Sequence, residues 1–173
     1  MERNVYIISG PAGAGKSTTS KIIAERLTRS AYIEGDLIDH MVIGGHEKPW
    51  LSSYHSDLIW LNILSLTLNY LKHDHDVVID YVAFFSNVDM IKKKLNDNKI
   101  TIKFVVLIVG EEELLGRDAE RIPEHQMGQR CIEGLQEILH SNPPEKHLLT
   151  TTDMEIEDVV NEIMNNPRFI VEE

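Results

Sequence analysis

The sequence has 173 residues, the usual size of one domain and enough for a substantial hydrophobic core. Hydrophobic residues make up 42% and charged residues 26%, which is typical of a folded chain rather than a disordered one. The 28 acidic residues outnumber the 17 Lys and Arg and give a net charge of −11, which argues against a protein whose main ligand is DNA, RNA or an anionic membrane. We therefore predict one domain over residues 1–173 that binds neither nucleic acid nor membrane.

Cysteine content and hydropathy indicate the compartment. Cys131 is the only cysteine in the sequence, so an intramolecular disulfide and a cysteine-rich zinc site are both excluded. The longest apolar run, Phe104 to Val109, is far shorter than the ~20 residues of a membrane span, and the N-terminus shows no signal-peptide pattern. We expect a cytoplasmic protein.

Short β-branched runs alternate with helical segments along the chain, which is typical of an α/β fold with a parallel sheet. Strands are predicted at Val5–Ser9, Ala31–Glu34, Val77–Ile79, Ile100–Val109 and His147–Thr150. Helices are predicted at Lys16–Leu27, Asp57–Lys72, Asn87–Leu95, Glu111–Asp118, Gln129–His140 and Glu157–Met164. The segment Arg117–Arg130 is polar and interrupted by Pro123, so we interpret it as a mobile excursion. The alternation of strands and helices predicts right-handed crossovers.

A glycine-rich loop follows the first predicted strand. It matches the pattern G-x-x-x-x-G-K-[ST] at every fixed position, with the residues Gly10, Pro11, Ala12, Gly13, Ala14, Gly15, Lys16, Ser17 and Thr18. Gly13 and Gly15 let backbone N–H groups point at phosphate oxygens, and the next helix presents further unpaired N–H groups. Lys16 places a charge near the β- and γ-phosphates, and the Ser17 hydroxyl is placed to bind Mg²⁺. The loop therefore predicts binding of a nucleoside triphosphate, with ATP as the expected one.

The context of the loop supports this interpretation over a chance glycine-rich turn. The loop lies directly between an apolar strand and an amphipathic helix, as phosphate binding requires. A Ras-like GTPase of this length carries an N-K-x-D motif, and the sequence has none. Recombinase-like and transporter-like ATPases are usually larger. The rest of the chain therefore has to define the function.

An aspartate follows each of two predicted strands, where ligands gather in open α/β sheets. Asp36 ends the second strand, and we interpret it as a ligand-contacting acid; the alternative is an N-cap of a short helix over Leu37–Met41. Asp80 ends the third strand and resembles a Walker B acid that holds Mg²⁺ together with Ser17. Its alternative roles are a strand-end cap or a contact with a substrate hydroxyl. Glu34 and Asp39 are interpreted as solvated or structural.

Arginines and histidines supply further candidates. Arg117 and Arg121 are four residues apart, so one helix face would aim both at a phosphate; the alternative is a surface pair with Glu113 or Glu120. Arg130 is a weaker candidate for the same role. His73 and His75 lack further ligands at metal spacing and indicate a solvated turn. The segment 44–50 contains Trp50, which forms either an apolar wall for a ligand or a surface loop.

These segments resemble the small P-loop metabolite kinases of the adenylate, shikimate and gluconate kinase group, in particular bacterial proteins of the gluconate kinase type. The similarity rests on the glycine loop, on Tyr32–Asp36, on Arg117–Met127 and on the final strand and helix. It implies a five-stranded parallel sheet in the order 2-3-1-4-5 with helices on both faces. It also implies a lid over residues 117–130, with Lys16, Arg117 and Arg121 acting on the phosphates and Asp36 acting on an acceptor hydroxyl.

Two segments depart from the gluconate kinase pattern. Between Arg121 and His125 there is one residue more than in the Arg-x-x-His-x-Met lid of that family, and the segment after Gly35-Asp36 lacks its His-Pro. The resemblance therefore implies Mg²⁺-dependent transfer of the ATP γ-phosphate to a hydroxyl of a small metabolite, such as a sugar acid, without naming gluconate. The alternatives are an antibiotic- or nucleotide-sugar-type phosphotransferase and a non-catalytic nucleotide-binding switch. Monomer and homodimer are both compatible with the sequence.

Overall fold

The computed structural model describes residues 2–95 and 99–172 and contains one parallel sheet. Its strands are β1 (Arg3–Ser9), β2 (Ser30–Glu34), β3 (Asp76–Asp80), β4 (Ile100–Ile108) and β5 (Leu148–Thr150). Their order is β2-β3-β1-β4-β5, and every neighbouring pair is parallel. The predicted α/β class and the strand order implied by the resemblance are both confirmed.

The helices alternate with these strands along the chain. They are α1 (Lys16–Arg26), α2 (Gly35–Asp39), α3 (Ser53–Lys72), α4 (Phe85–Leu95), α5 (Glu111–Ala119), α6 (Gln129–His140) and α7 (Ile156–Asn165). A short 3-10 helix, Pro123–His125, lies between α5 and α6. None of the helices in the part of the chain that the structure describes is both long and apolar enough to cross a membrane.

The sheet is covered on both faces because its strands are apolar on both sides. Alternate residues of β1 belong to different clusters: Val5 and Ile7 pack with α3 and α4, whereas Tyr6 and Ile8 pack with α1, α6 and α7. All four side chains are almost completely inaccessible to solvent. The helices on the two faces hold the sheet in place. Because the strands are parallel, the carboxyl ends of β1, β2 and β3 lie at one edge, where ligands can gather.

Most predicted element bounds agree with the structure to within one or two residues, and that of α6 agrees at both ends. The start of α3 was predicted wrongly, since the helix begins at Ser53 rather than at Asp57. Ser52 caps it, because its Oγ accepts a hydrogen bond of 3.2 Å from the N–H of His55. The sequence signal for the cap was present, but the first turn carries too few apolar residues for the hydrophobic pattern to reveal it.

Candidate active site

The glycine loop lies at the carboxyl end of β1 and leads directly into α1. Gly15 occupies the N-cap of α1 with φ 92°, a left-handed conformation that favours glycine. No side chain among the described residues caps this helix, and the N–H groups of a first turn have no partner within the helix. The loop and the start of α1 therefore offer backbone donors and a partial positive charge to an anion.

Lys16 connects the loop to the charged groups around it. Its Nζ donates a hydrogen bond of 3.0 Å to the carbonyl oxygen of Pro11, on the opposite limb of the loop. Burial lowers the pKa of Lys16, and the positive charge of Arg121 lowers it further. The carboxylates of Asp80 and Asp36 act in the opposite direction. Lys16 therefore lies in one electrostatic environment with Asp36, Asp80 and Arg121, four of the residues that the sequence predicted for the site.

Asp80 ends β3 beside the glycine loop, because β3 pairs with β1 at Ile8. A residue not considered as a site residue from the sequence, Tyr32 of β2, donates a hydrogen bond of 2.6 Å from its hydroxyl to Asp80 Oδ2. The same hydroxyl lies 3.4 Å from Glu34 Oε2. Burial and the bond to Asp80 both raise the pKa of Tyr32, whereas an interaction with the Ser17 side chain lowers it. The phenol thus joins the predicted Mg²⁺ ligands, and their carboxylate and hydroxyl oxygens fit the preference of Mg²⁺ for oxygen.

Asp36 lies inside the first turn of α2, which corrects two expectations. It neither ends a strand nor caps a helix over 37–41, since β2 ends at Glu34 and α2 begins at Gly35. Gly35 is required there, because a Cβ on it would lie 2.3 Å from the ring of Tyr81. Asp36 is open to solvent on one side, while the surrounding protein displaces water from its carboxylate and raises its pKa.

Arg117, on α5, lies against the glycine loop. Its Nη1 donates a hydrogen bond of 3.5 Å to the carbonyl oxygen of Gly13, and its Nη2 forms an ion pair with Glu113. The surface pair and the approach to the loop, proposed as alternatives from the sequence, therefore occur together. The guanidinium is adjacent to the backbone that would surround a phosphate.

Arg121 reaches the site by a different route from the one predicted. It lies beyond α5, which ends at Ala119 with Glu120 as its C-cap, so it does not share a helix face with Arg117. Its Nη1 instead forms an ion pair of 3.3 Å with Asp118, which is almost fully buried. This carboxylate holds Arg121, whose charge acts on Lys16, without the helix periodicity on which the prediction relied.

Asp118 also holds the end of the lid segment, residues 117–130. Its carboxylate accepts hydrogen bonds from the backbone N–H groups of Met127, at 2.9 Å, and Gly128, at 2.7 Å. It thereby fixes the residues directly before α6. Burial raises the pKa of the Cys131 thiol, in the first turn of α6, to about 11, and the charge of Asp118 contributes to that shift. Nothing in the sequence pattern around Asp118 indicated this role.

The lid segment contacts the loop between α2 and α3, residues 40–52. The guanidinium of Arg130 lies 5.2 Å from the ring centroid of Trp50 in that loop. Two ion pairs, with Glu133 at 3.4 Å and Glu137 at 2.7 Å, hold the guanidinium in this position. Arg130 therefore connects the lid to the loop instead of joining Arg117 and Arg121 at the glycine loop.

Comparison with known proteins identifies the class of fold. No protein-family model matches the sequence, and no curated protein matches it significantly. A sugar kinase from Janibacter sp. HTCC2649 is similar in structure, with a TM-score of 0.70 and 14% identity over 99% of this chain and 100% of its own. The Mycobacterium tuberculosis APS kinase CysC, solved with AMPPNP and APS, has a TM-score of 0.70 and 16% identity over 95% of this chain and 96% of its own.

A gluconokinase from Sinorhizobium meliloti 1021 is also similar, with a TM-score of 0.63 and 20% identity over 92% of this chain and 89% of its own. These likenesses span nearly the whole chain. The fold is that of the P-loop kinases, as the resemblance predicted.

Proposed function

We propose that the protein is an ATP-dependent phosphotransferase that moves the γ-phosphate to a hydroxyl group of a small molecule. The observation that carries the proposal is the glycine loop, which Lys16 and Arg117 both contact and beside which Asp80 ends β3. The charges of Asp36 and Arg121 also act on Lys16. Phosphoryl transfer to an alcohol needs four groups: a cation that binds phosphate, an acid that contacts the acceptor, an acid that binds the metal, and a second cation. Lys16, Asp36, Asp80 and Arg121 supply them in that order.

The chain's own residues divide the work as follows. The amides of the glycine loop and Lys16 hold the β- and γ-phosphates. Arg117 and Arg121 stabilise the charge that spreads over the equatorial oxygens in a loose transition state. Ser17 and Asp80 would hold Mg²⁺, which would neutralise negative charge on the phosphate oxygens during transfer.

Asp36 orients the acceptor hydroxyl and accepts its proton. Displacement of water from its carboxylate raises its pKa, which makes the carboxylate a better base. The lid segment, held by the bonds of Asp118 to Met127 and Gly128 and by the Arg130–Trp50 contact, keeps bulk water from the γ-phosphate. This exclusion favours transfer to the acceptor over hydrolysis.

We infer that the acceptor is a small polyol or sugar acid, because hydroxyl-rich acceptors suit a polar entrance that contains Asp36. One observation favours an alternative acceptor with an apolar part, of the antibiotic type. Large apolar side chains of the α2–α3 loop are exposed, with Met41 at 73%, Ile43 at 92% and Leu51 at 77% of their full accessibility. Such side chains would contact an amphipathic molecule better than a sugar acid.

ADP release measured with and without a library of hydroxyl compounds tests the proposal. We expect the wild type to release ADP only when a suitable acceptor is present, and we expect Lys16→Ala to lose this activity. Lys93→Ala should keep it, because Lys93 is exposed on α4. Tight nucleotide binding without any acceptor dependence would instead support a non-catalytic nucleotide switch. The library contains sugar acids and amphipathic antibiotics as separate sets. The set that stimulates ADP release identifies the acceptor class.

A further inference from the structure

Three side chains that the sequence did not group lie together in α2, which contains Asp36, in the α2–α3 loop and in α3. Asp39 is the last residue of α2, His46 lies in the α2–α3 loop and His55 lies in the first turn of α3. The Nε2 of His46 lies 2.9 Å from Asp39 Oδ1, and the Nε2 of His55 lies 2.6 Å from the same atom. Asp39 and His55 are buried, whereas the His46 side chain is 34% exposed.

The two imidazoles converge on one carboxylate oxygen, so three ligand atoms surround a common point. These atoms all lie within 4.8 Å of one another. A tetrahedral cation with ligand distances of about 2.0–2.1 Å needs its donors about 3.3 Å apart. Small side-chain rotations therefore convert the observed cluster into a coordination sphere, and exposed His46 can make most of the adjustment.

We propose that Asp39, His46 and His55 form a binding site for a Zn²⁺-type transition-metal cation, distinct from the Mg²⁺ ligands at the glycine loop. Imidazole nitrogen with one carboxylate suits Zn²⁺, Co²⁺ or Ni²⁺, whereas Mg²⁺ prefers oxygen ligands alone. Three protein ligands leave a fourth position for a water or for an oxygen atom of a bound small molecule.

The position of the cluster indicates what the cation does for the protein. Its ligands come from α2, from the α2–α3 loop and from α3, so one ion ties together the three segments that border Asp36. A bound cation fixes the loop that carries Trp50, which in turn contacts the lid. The alternative is that two imidazoles hydrogen-bond to one carboxylate and hold the same segments without any metal. Metal binding by the protein distinguishes the two possibilities.

The test is a Co²⁺ titration of the full chain without nucleotide, followed by visible absorption, with any polyhistidine tag removed. We expect one Co²⁺ per chain, an intense tetrahedral spectrum and displacement by Zn²⁺ but not by Mg²⁺. His46→Ala should weaken binding by at least about 100-fold, beyond what loss of a group outside the coordination sphere costs. Because His46 is exposed, this variant is expected to fold, and circular dichroism checks that it does.

Two matched variants separate this site from other ligands. His73→Ala removes an exposed histidine at the end of α3, and Asp80→Asn removes the predicted Mg²⁺ ligand; both should bind Co²⁺ like the wild type. His46→Cys supplies another metal ligand and should restore much of the affinity. Absence of stoichiometric Co²⁺ binding, or equal affinity in the wild type and His46→Ala, would overturn the proposal. Since no ATP or acceptor is present, either result is independent of whether the protein is a kinase.

Discussion

Replacing Asp118 by Asn tests whether a buried charge holds the lid segment. In the native protein the carboxylate accepts two short backbone hydrogen bonds, from Met127 and Gly128, and pairs with Arg121. The Asn side chain has nearly the same shape, but it has no charge and carries one NH₂ group in place of an oxygen. An NH₂ group cannot accept a hydrogen bond, so either orientation of the amide loses a contact. In one orientation the backbone N–H groups lose their acceptor, and in the other the guanidinium of Arg121 does.

The expected loss follows from the number and kind of these contacts. Hydrogen bonds to charged groups contribute about 1.5–3 kcal/mol each. The neutral amide avoids part of the desolvation cost of the carboxylate, which offsets some of the loss. We therefore expect the free energy of unfolding to fall by about 2–4 kcal/mol at pH 7, within the range reported for broken buried networks.

The pH dependence provides an independent check. Burial alone would raise the pKa of Asp118, but the hydrogen bonds from Gly128, Met127 and Arg121 prevail and lower it. A carboxyl whose pKa is lower in the folded state stabilises the protein above its unfolded pKa of about 3.9 and loses that effect as the pH falls through the folded value. The difference between the wild type and Asp118→Asn should therefore be full at pH 7 and shrink below about pH 4.

Urea unfolding of both proteins at several pH values measures this difference. Glu124→Gln is the matched control, because it neutralises an exposed carboxylate in the same lid segment. If Asp118→Asn lost no more stability at pH 7 than Glu124→Gln, or if its loss did not change with pH, the assigned role of the buried charge would be wrong.

Steady-state kinetics with the acceptor found in the screen check three further predictions. Arg121→Ala should lower kcat by about 10²-fold or more with a smaller change in ATP affinity; an equal loss of affinity without loss of kcat would refute a transition-state role. Asp36→Asn should cut transfer by about 10²–10⁴-fold and abolish the acidic limb of the pH–rate profile, which reflects the raised pKa of this base. Asp80→Asn should instead raise the Mg²⁺ concentration at half-maximal rate. If the two variants showed each other's effects, the two assignments would be reversed. Tyr32→Phe removes the hydroxyl that hydrogen-bonds to Asp80 and should raise the Mg²⁺ requirement by about 10-fold, less than Asp80→Asn, with an unchanged acceptor KM. A shift in acceptor KM alone would contradict this prediction.

Features encoded by neighbouring residues were predictable from the sequence. The glycine loop is one continuous motif between a strand and a helix, and α6 has a strong apolar stripe that ends before Pro143, so both were found with correct bounds. The shared helix face of Arg117 and Arg121 was wrong for a local reason. The predicted helix itself ended at Asp118, so the helical spacing was extended to Arg121 beyond that end, and α5 ends at Ala119, two residues before Arg121.

Features that depend on contacts between distant residues could not be predicted in this way. Tyr32 meets Asp80 across 48 positions of sequence, and Asp118 meets Gly128 across 10. Asp39 is three residues from a predicted site residue, yet its histidine partners are 7 and 16 positions away at no recognised metal spacing. Only the packing of α2 against α3 brings them together.

The distribution of charge reconciles an acidic chain with a predicted polyanionic ligand. The net charge is −11, so long-range electrostatics oppose extended polyanions such as nucleic acids. Lys16 and Arg117 nevertheless contact the glycine loop, and the charge of Arg121 acts on Lys16. The backbone donors of the loop and the start of α1 add to these positive groups. These groups act over a few ångströms, within the screening length of about 8 Å at physiological salt, so a compact triphosphate experiences their attraction more than the repulsion of distant surface acids. The same reasoning predicts that added salt weakens ATP binding only modestly, since its contacts lie inside a partly desolvated site.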